Sequence, residues 1–121
     1  MEIEVDGPGT FAVDVVGVSR RQDVLEAAAE AGPVVQATLE REDDNPHDDH
    51  AVRVSIGGRR AGYLSRADAR RYRADLAAAG SPHATVRCKA KIVGGFAKPD
   101  GGRGHYGVKL DLPPIKGSEF G

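Results

Sequence analysis

The sequence predicts a mostly β (α+β) domain, a small OB-like or SH3-like β-barrel with one or two covering helices. Three observations lead there. Short runs at 34–41, 51–56 and 84–93 alternate apolar with polar residues, the period of a half-buried strand. Their connections are short and carry Gly, Asn, Asp and Pro. Only two stretches have helical spacing, and no sustained β–α–β rhythm builds a doubly wound sheet.

Residues 11–18 (FAVDVVGV) are β-branched and roughly alternating, and read as the first strand. Ser19 stands three residues before Gln22, the spacing of a capping box, so a helix is expected over 20–31 with Gly32-Pro33 stopping it. Its apolar face is Val24, Leu25, Ala28 and Ala31. A second strand spans 34–41. The run 42–50 (EDDNPHDDH) is too charged for a sheet interior and holds an Asn-Pro turn.

Residues 51–56 put Val52, Val54 and Ile56 on one side, and Gly57-Gly58 turns the chain into a hairpin whose second arm is 59–64. Ser65 starts the next helix, with Asp68 in its first turn and Gly80 ending it. Ala69, Tyr72, Leu76 and Ala79 form its stripe. In 84–93, Val86, Cys88, Ala90 and Ile92 face inward and Arg87, Lys89 and Lys91 outward. Gly94-Gly95 breaks that strand, 98–102 is a loop, and 104–112 is the last strand. The predicted order is β–α–β–β–β–α–β–β.

Composition bounds the function. The chain has 121 residues, 40% apolar and 29% charged, which fits one globular domain over 1–116. Residues 117–121 are polar and unpatterned, a flexible tail or a cloning remnant. No window approaches the ~20 apolar residues of a membrane helix. The acidic N-terminus lacks a signal-peptide layout, and the lone Cys88 has no disulfide partner, so a cytoplasmic protein is expected. Residues 1–50 carry thirteen carboxylates against three cations, and residues 51–121 five against fourteen. Either the second half builds a face for a polyanion, or the halves pair across the fold.

Few patterns carry chemistry. His47 and His50, flanked by Asp48 and Asp49, could ligate a divalent ion, but no CxxC or HExxH partner completes a site. Cys88 sits in an inward register, where a thiol is an inert small hydrophobe. No Gly-x-Ser-x-Gly elbow or P-loop is present. Outward cations on a strand, a basic helix face and isolated aromatics are what a single-strand groove needs, since cations follow phosphates and rings stack bases.

The run 44–54 (DNPHDDHAVRV), a short Gly turn, and then Gly62-Tyr63-Leu64-Ser65-Arg66 resemble the signature of the HIRAN domain family. The strand segments 15–18 and 38–41 match as well, and the resemblance covers about residues 11–95. It implies a modified OB-like barrel, known from fork-remodelling helicases and from stand-alone bacterial proteins, that captures the 3′-hydroxyl end of single-stranded DNA. Carried over residue by residue, Asp48 is the acceptor for the terminal hydroxyl, and Asn45 and Pro46 form the turn that positions it. His47 and Tyr63 line the pocket, Arg20 and Arg21 make DNA contacts after the first strand, and Phe96 stacks a base.

The outward Lys89 and Lys91 are expected phosphate contacts. This sequence departs from the family at three places. His47 replaces an aromatic residue, His50 replaces an Asn, and 20–22 lack the stacking tyrosines. Each lost ring removes roughly 1–3 kcal/mol of stacking per base.

The expected protein is therefore non-catalytic and cofactor-free. It is a monomer that binds single-stranded DNA, probing for a 3′ end in repair or replication beside a helicase or nuclease partner. Two other readings stand beside it. One is an interaction module whose groove has lost DNA affinity, and the other a metal-dependent hydrolase using His47, Asp48 and His50.

Overall fold

The computed structural model describes residues 2–95 and 105–113. Its elements are β1 (Glu2–Glu4), β2 (Val13–Val16), a single 3-10 turn (Val18–Arg20), α1 (Gln22–Ala31), β3 (Val34–Glu42), β4 (Ala51–Ile56), β5 (Arg59–Leu64), α2 (Arg66–Ala78), β6 (Thr85–Gly94) and β7 (Tyr106–Asp111). The strands run in the order β6–β3–β4–β5–β2–β7, and β7 pairs back onto β6. Six antiparallel strands thus close a barrel, and β1 adds in parallel to the first residues of β6. The OB-like barrel with two helices expected from the pattern is the fold that forms.

Alternation places the core. Leu39 from β3, Val52 and Val54 from β4, and Leu110 from β7 are fully enclosed. Val86, Cys88 and Ala90 of β6 face the same interior, with Ile92 packed at its margin. Val24, Leu25 and Ala28 carry α1 onto this core, and Ala69 and Tyr72 carry α2. Gly57 and Gly58 both have positive φ (61° and 78°), which is why a Gly-Gly pair makes the two-residue hairpin turn between β4 and β5. Ser65 caps α2, its hydroxyl accepting from the Asp68 amide at 3.2 Å.

Several boundaries differ from expectation. The first strand ends at Val16 because Gly17 takes a left-handed φ of 73° and turns the chain. Ser19 then lies inside the 3-10 turn and caps nothing, and α1 starts only at Gln22. The Gln22 side chain works across the fold instead. Its amide nitrogen donates to the carbonyls of Val18 and Tyr106 (3.1 and 3.0 Å), and its oxygen accepts from the Tyr106 amide at 2.7 Å. Ala31 and Ala79, expected on the apolar stripes, are exposed at the helix ends. The last strand starts at Tyr106, two residues later than expected. β1 carried no local signal: it has three residues and owes its strand state to β6. The loop 98–102, Phe96 and the tail 117–121 lie outside the described residues.

The two charged halves pair across the barrel. Glu2 meets Arg87, Asp14 meets Lys109, Asp23 meets Arg59, Glu40 and Glu42 meet Arg53, and Asp43 meets Arg73. Among the described residues, six of the thirteen carboxylates of the first half are matched in this way. Among the described residues no helix is long and apolar enough to cross a membrane.

Crowding fixes Gly62 in β5. A Cβ on Gly62 would meet the Val16 carbonyl and the side chain of Val15, so β5 can pass β2 here only without a side chain. Gly62→Ala should therefore cost roughly 1–3 kcal/mol by overpacking. Leu39→Ala should cost about 2–5 kcal/mol through the cavity it opens. Urea unfolding followed by circular dichroism checks both.

Two buried acids predict an alkaline limb. Burial pushes the Cys88 thiol from 9.0 up to about 12, with the nearby Asp111 adding to it, and burial pushes the Tyr72 hydroxyl well above its ordinary value. Both groups are held neutral in the fold, so the stability they lend is complete below pH 9 and is lost as the pH climbs toward 12. The Tyr72 hydroxyl is also buried with no hydrogen-bond partner. Tyr72→Phe should therefore leave stability at pH 7 unchanged or raised, and should flatten the decline above pH 10. Unfolding curves measured from pH 7 to 11 read both effects.

Candidate nucleic-acid interface

The charged run between β3 and β4 forms a braced turn. Asn45 is its hub, its side-chain oxygen accepting from the amides of His47 and Asp48 at 2.8 and 3.2 Å. This is the Asx turn that an Asn-Pro pair favours. The Asp48 carbonyl accepts from the Ala51 amide at 3.1 Å, closing the loop onto β4. The Asp48 carboxylate accepts from the His50 amide through Oδ1 at 3.0 Å. That single bond fixes the carboxylate in its own turn. Its second oxygen has no partner among the described residues.

A relay joins this turn to Tyr63. Asn45 Nδ2 donates to Glu42 Oε1 at 2.8 Å, and the Tyr63 hydroxyl donates to the same oxygen at 3.0 Å. Arg60 donates to the Tyr63 hydroxyl at 3.1 Å, its guanidinium 5.8 Å from the ring centre. Glu42 is thus the hinge between the turn and the aromatic wall, and the sequence reading gave it no role. The strand was expected to end at 41, and the structure extends it to Glu42, which continues the outward alternation of Gln36, Thr38 and Glu40.

The turn is held from α2 as well. Arg66 donates to the His47 carbonyl at 3.0 Å, and Arg73 donates to the Ala51 carbonyl and to Asp43 at 2.8 Å each. Arg41 also donates to Asp43, at 2.9 Å, and this bond, aided by Arg73, holds the Asp43 carboxyl below its ordinary range. Arg66 stood in the matched sequence run, yet only the structure shows that it reaches the turn.

Arg20 ends the 3-10 turn that packs beside β5, and Arg21 follows it. Val16 pairs with Tyr63 across β2 and β5, and the 3-10 turn that follows packs on β5, with the Val18 side chain over Gly62. Arg20 is exposed at the end of that turn, and Arg21 is half-buried at the start of α1. Arg20, Arg21, Arg60 and Arg66 have no carboxylate partner among the described residues. The wall therefore offers unpaired cations around a turn rich in carboxylates, and its own Glu40, Glu42 and Asp43 are already matched.

Asn45, His47, Asp48 and Tyr63 are brought together, with Arg20 and Arg21 at the margin. Lys89 and Lys91 are not. They are exposed on the outer face of β6, and β6 and β5 are separated by two strands in either direction around the ring. Both lysines therefore lie on the wall opposite Tyr63. Lys91 instead lies 5.4 Å from the ring centre of Phe11. Phe96 lies outside the described residues.

The metal set expected from His47, Asp48 and His50 does not assemble. The ligand atoms that converge, within 4.8 Å, belong to Asp48, Asp49 and His50, on an exposed turn. Two of those oxygens already serve His50, one through its amide and one through Nδ1 at 2.7 Å.

Comparison with curated proteins and with solved structures gave no match. The model of the HIRAN domain matches residues 8–92, which span β2 to β6 and with them the turn, Tyr63 and both arginines. That match takes in well over half of the chain, and the family is generally a DNA-binding one; this chain belongs to the HIRAN domain family.

Proposed function

We propose that the domain binds single-stranded DNA without transforming it, and that the Asp48 turn senses a 3′-hydroxyl terminus. The observation that carries this reading is the state of Asp48. One carboxylate oxygen is spent holding the turn rigid and the other is free to accept. An ionised carboxylate accepts hydrogen bonds only, so a terminal hydroxyl can donate to it while a phosphodiester has no proton to give.

The crowding of acids strengthens the discrimination. Asp44, Asp48 and Asp49 share one short turn, and an incoming phosphate meets their repulsion. A strand that ends there brings none. Its preceding phosphates fall to the unpaired arginines around Tyr63, which gives attraction along the strand and rejection beyond its end. His47 and Tyr63 supply the rings nearest the terminal bases. The role in repair or replication, and a helicase or nuclease partner, follow from this end preference as part of the same proposal.

Binding of a short oligonucleotide with a 3′-hydroxyl should exceed that of its 3′-phosphorylated twin by at least tenfold in fluorescence anisotropy at low salt. Asp48→Ala should erase the difference. Equal binding of the two ends by the native protein would overturn the reading, and absent binding of both would favour an interaction module instead. Because Lys89 stands on the opposite wall, Lys89→Ala should keep the end preference and most of the affinity.

Glu42→Gln tests the relay. It weakens the tie between Asn45 and Tyr63 without emptying the site, so the ratio between the two ends should fall several-fold while the melting temperature changes little.

A further inference from the structure

A pocket lies on the other side of α2 from the turn. Its volume is about 230 Å³, and its walls include Leu64, Tyr72 and Leu112, with Thr10, Asp68 and Arg71 among the polar groups lining it. That is less than the ~300–1,000 Å³ of drug-sized sites, so it holds one ring system rather than a dinucleotide.

Its two charges are notable for what they do not do. Asp68 and Arg71 are three residues apart on α2, the spacing at which opposite charges meet on one helix face. They form no ion pair with each other or with any other described residue. The Asp68 amide is spent on the Ser65 cap, but no hydrogen bond engages its carboxylate. A small, largely apolar pocket thus carries one free two-oxygen acceptor and one free forked donor.

We infer that this pocket binds a single guanine base. Guanine carries two acceptors, O6 and N7, on one edge, and its N1 and N2 donors on the adjacent edge. Arginine matches the first edge in bidentate fashion, and a carboxylate accepts from the second. Adenine and cytosine place an amino donor where the guanidinium needs an acceptor, and thymine offers a single acceptor, O4, on that edge. The apolar walls take the ring faces. The inference gives the DNA reading a base preference, and so rests on it for its biological setting, but the pocket is separate from the Asp48 turn.

The test uses the whole protein and the four 2′,3′-dideoxynucleoside 5′-monophosphates, which lack the hydroxyl that Asp48 would sense. Amide chemical shifts are followed during titration. The guanine compound should give saturable shifts at Thr10, Asp68, Arg71 and Tyr72, at least tenfold tighter than the other three. Asp68→Asn and Arg71→Gln should each weaken it at least tenfold, with unchanged melting temperatures, and Asp48→Ala should leave it intact.

Equal response to all four compounds, shifts confined to other residues, or full binding by both pocket variants would each overturn the inference. Loss of 3′-end preference in oligonucleotides with guanine binding preserved would instead remove the end-sensing proposal alone.

Discussion

β7 hydrogen-bonds along both edges, to β2 on one side and β6 on the other, and that double pairing turns a twisted sheet into a closed wall. Closure decides everything outside it. Once the ring is shut, each outward residue belongs to one sector of the barrel and is fixed relative to the others. Tyr63, Arg53 and Glu42 share a sector because β5, β4 and β3 are consecutive neighbours. Lys89 and Lys91 belong to the far sector for the same reason. The apolar interior that drives closure is supplied by strands from both halves of the chain, so the site forms only when the whole barrel does.

The electrostatics of the site follow from that interleaving. A chain split into an acidic and a basic half suggests a bipolar molecule, but β2 and β3 of the acidic half each stand between strands of the basic half, and many of their charges meet. Such exposed pairs are worth about 0–1 kcal/mol each, so their value lies less in stability than in what they neutralise. By pairing Glu40, Glu42 and Asp43 they leave the cations at the margins as the net feature of the Tyr63 wall, with the carboxylates of the turn as a local exception. Attraction and repulsion then act a short distance apart, a different device from a uniformly basic groove.

Much of this could be read in advance, because it rests on local rules. Strict alternation in 51–56 and 84–93 named the inward residues, the Gly57-Gly58 pair named the hairpin, and Ser65 named the start of α2. The resemblance led to Asn45, Asp48 and Tyr63, which the structure gathers. What escaped depends on partners distant in sequence. Gln22 looks like half of a capping box until Tyr106 is known to stand beside it. Glu42 and Arg66 look like solvated charge until the turn folds between them. The lysines of β6 were read correctly as outward, but a period-two pattern says which face a residue takes and nothing about which side of a closed ring that face lies on.

A closed ring also governs how another protein can hold on to this one. Each of strands β2 to β7 has a hydrogen-bonded neighbour on both sides, so their backbones offer an incoming peptide only short stretches of ladder to extend, such as 59–62 of β5, and strand addition is restricted around the barrel. β1, three residues long and bearing Glu2 and Glu4, keeps one edge unpaired along its whole length. A companion must therefore grip mainly side chains and turns, which can change by substitution while the ring stays as it is.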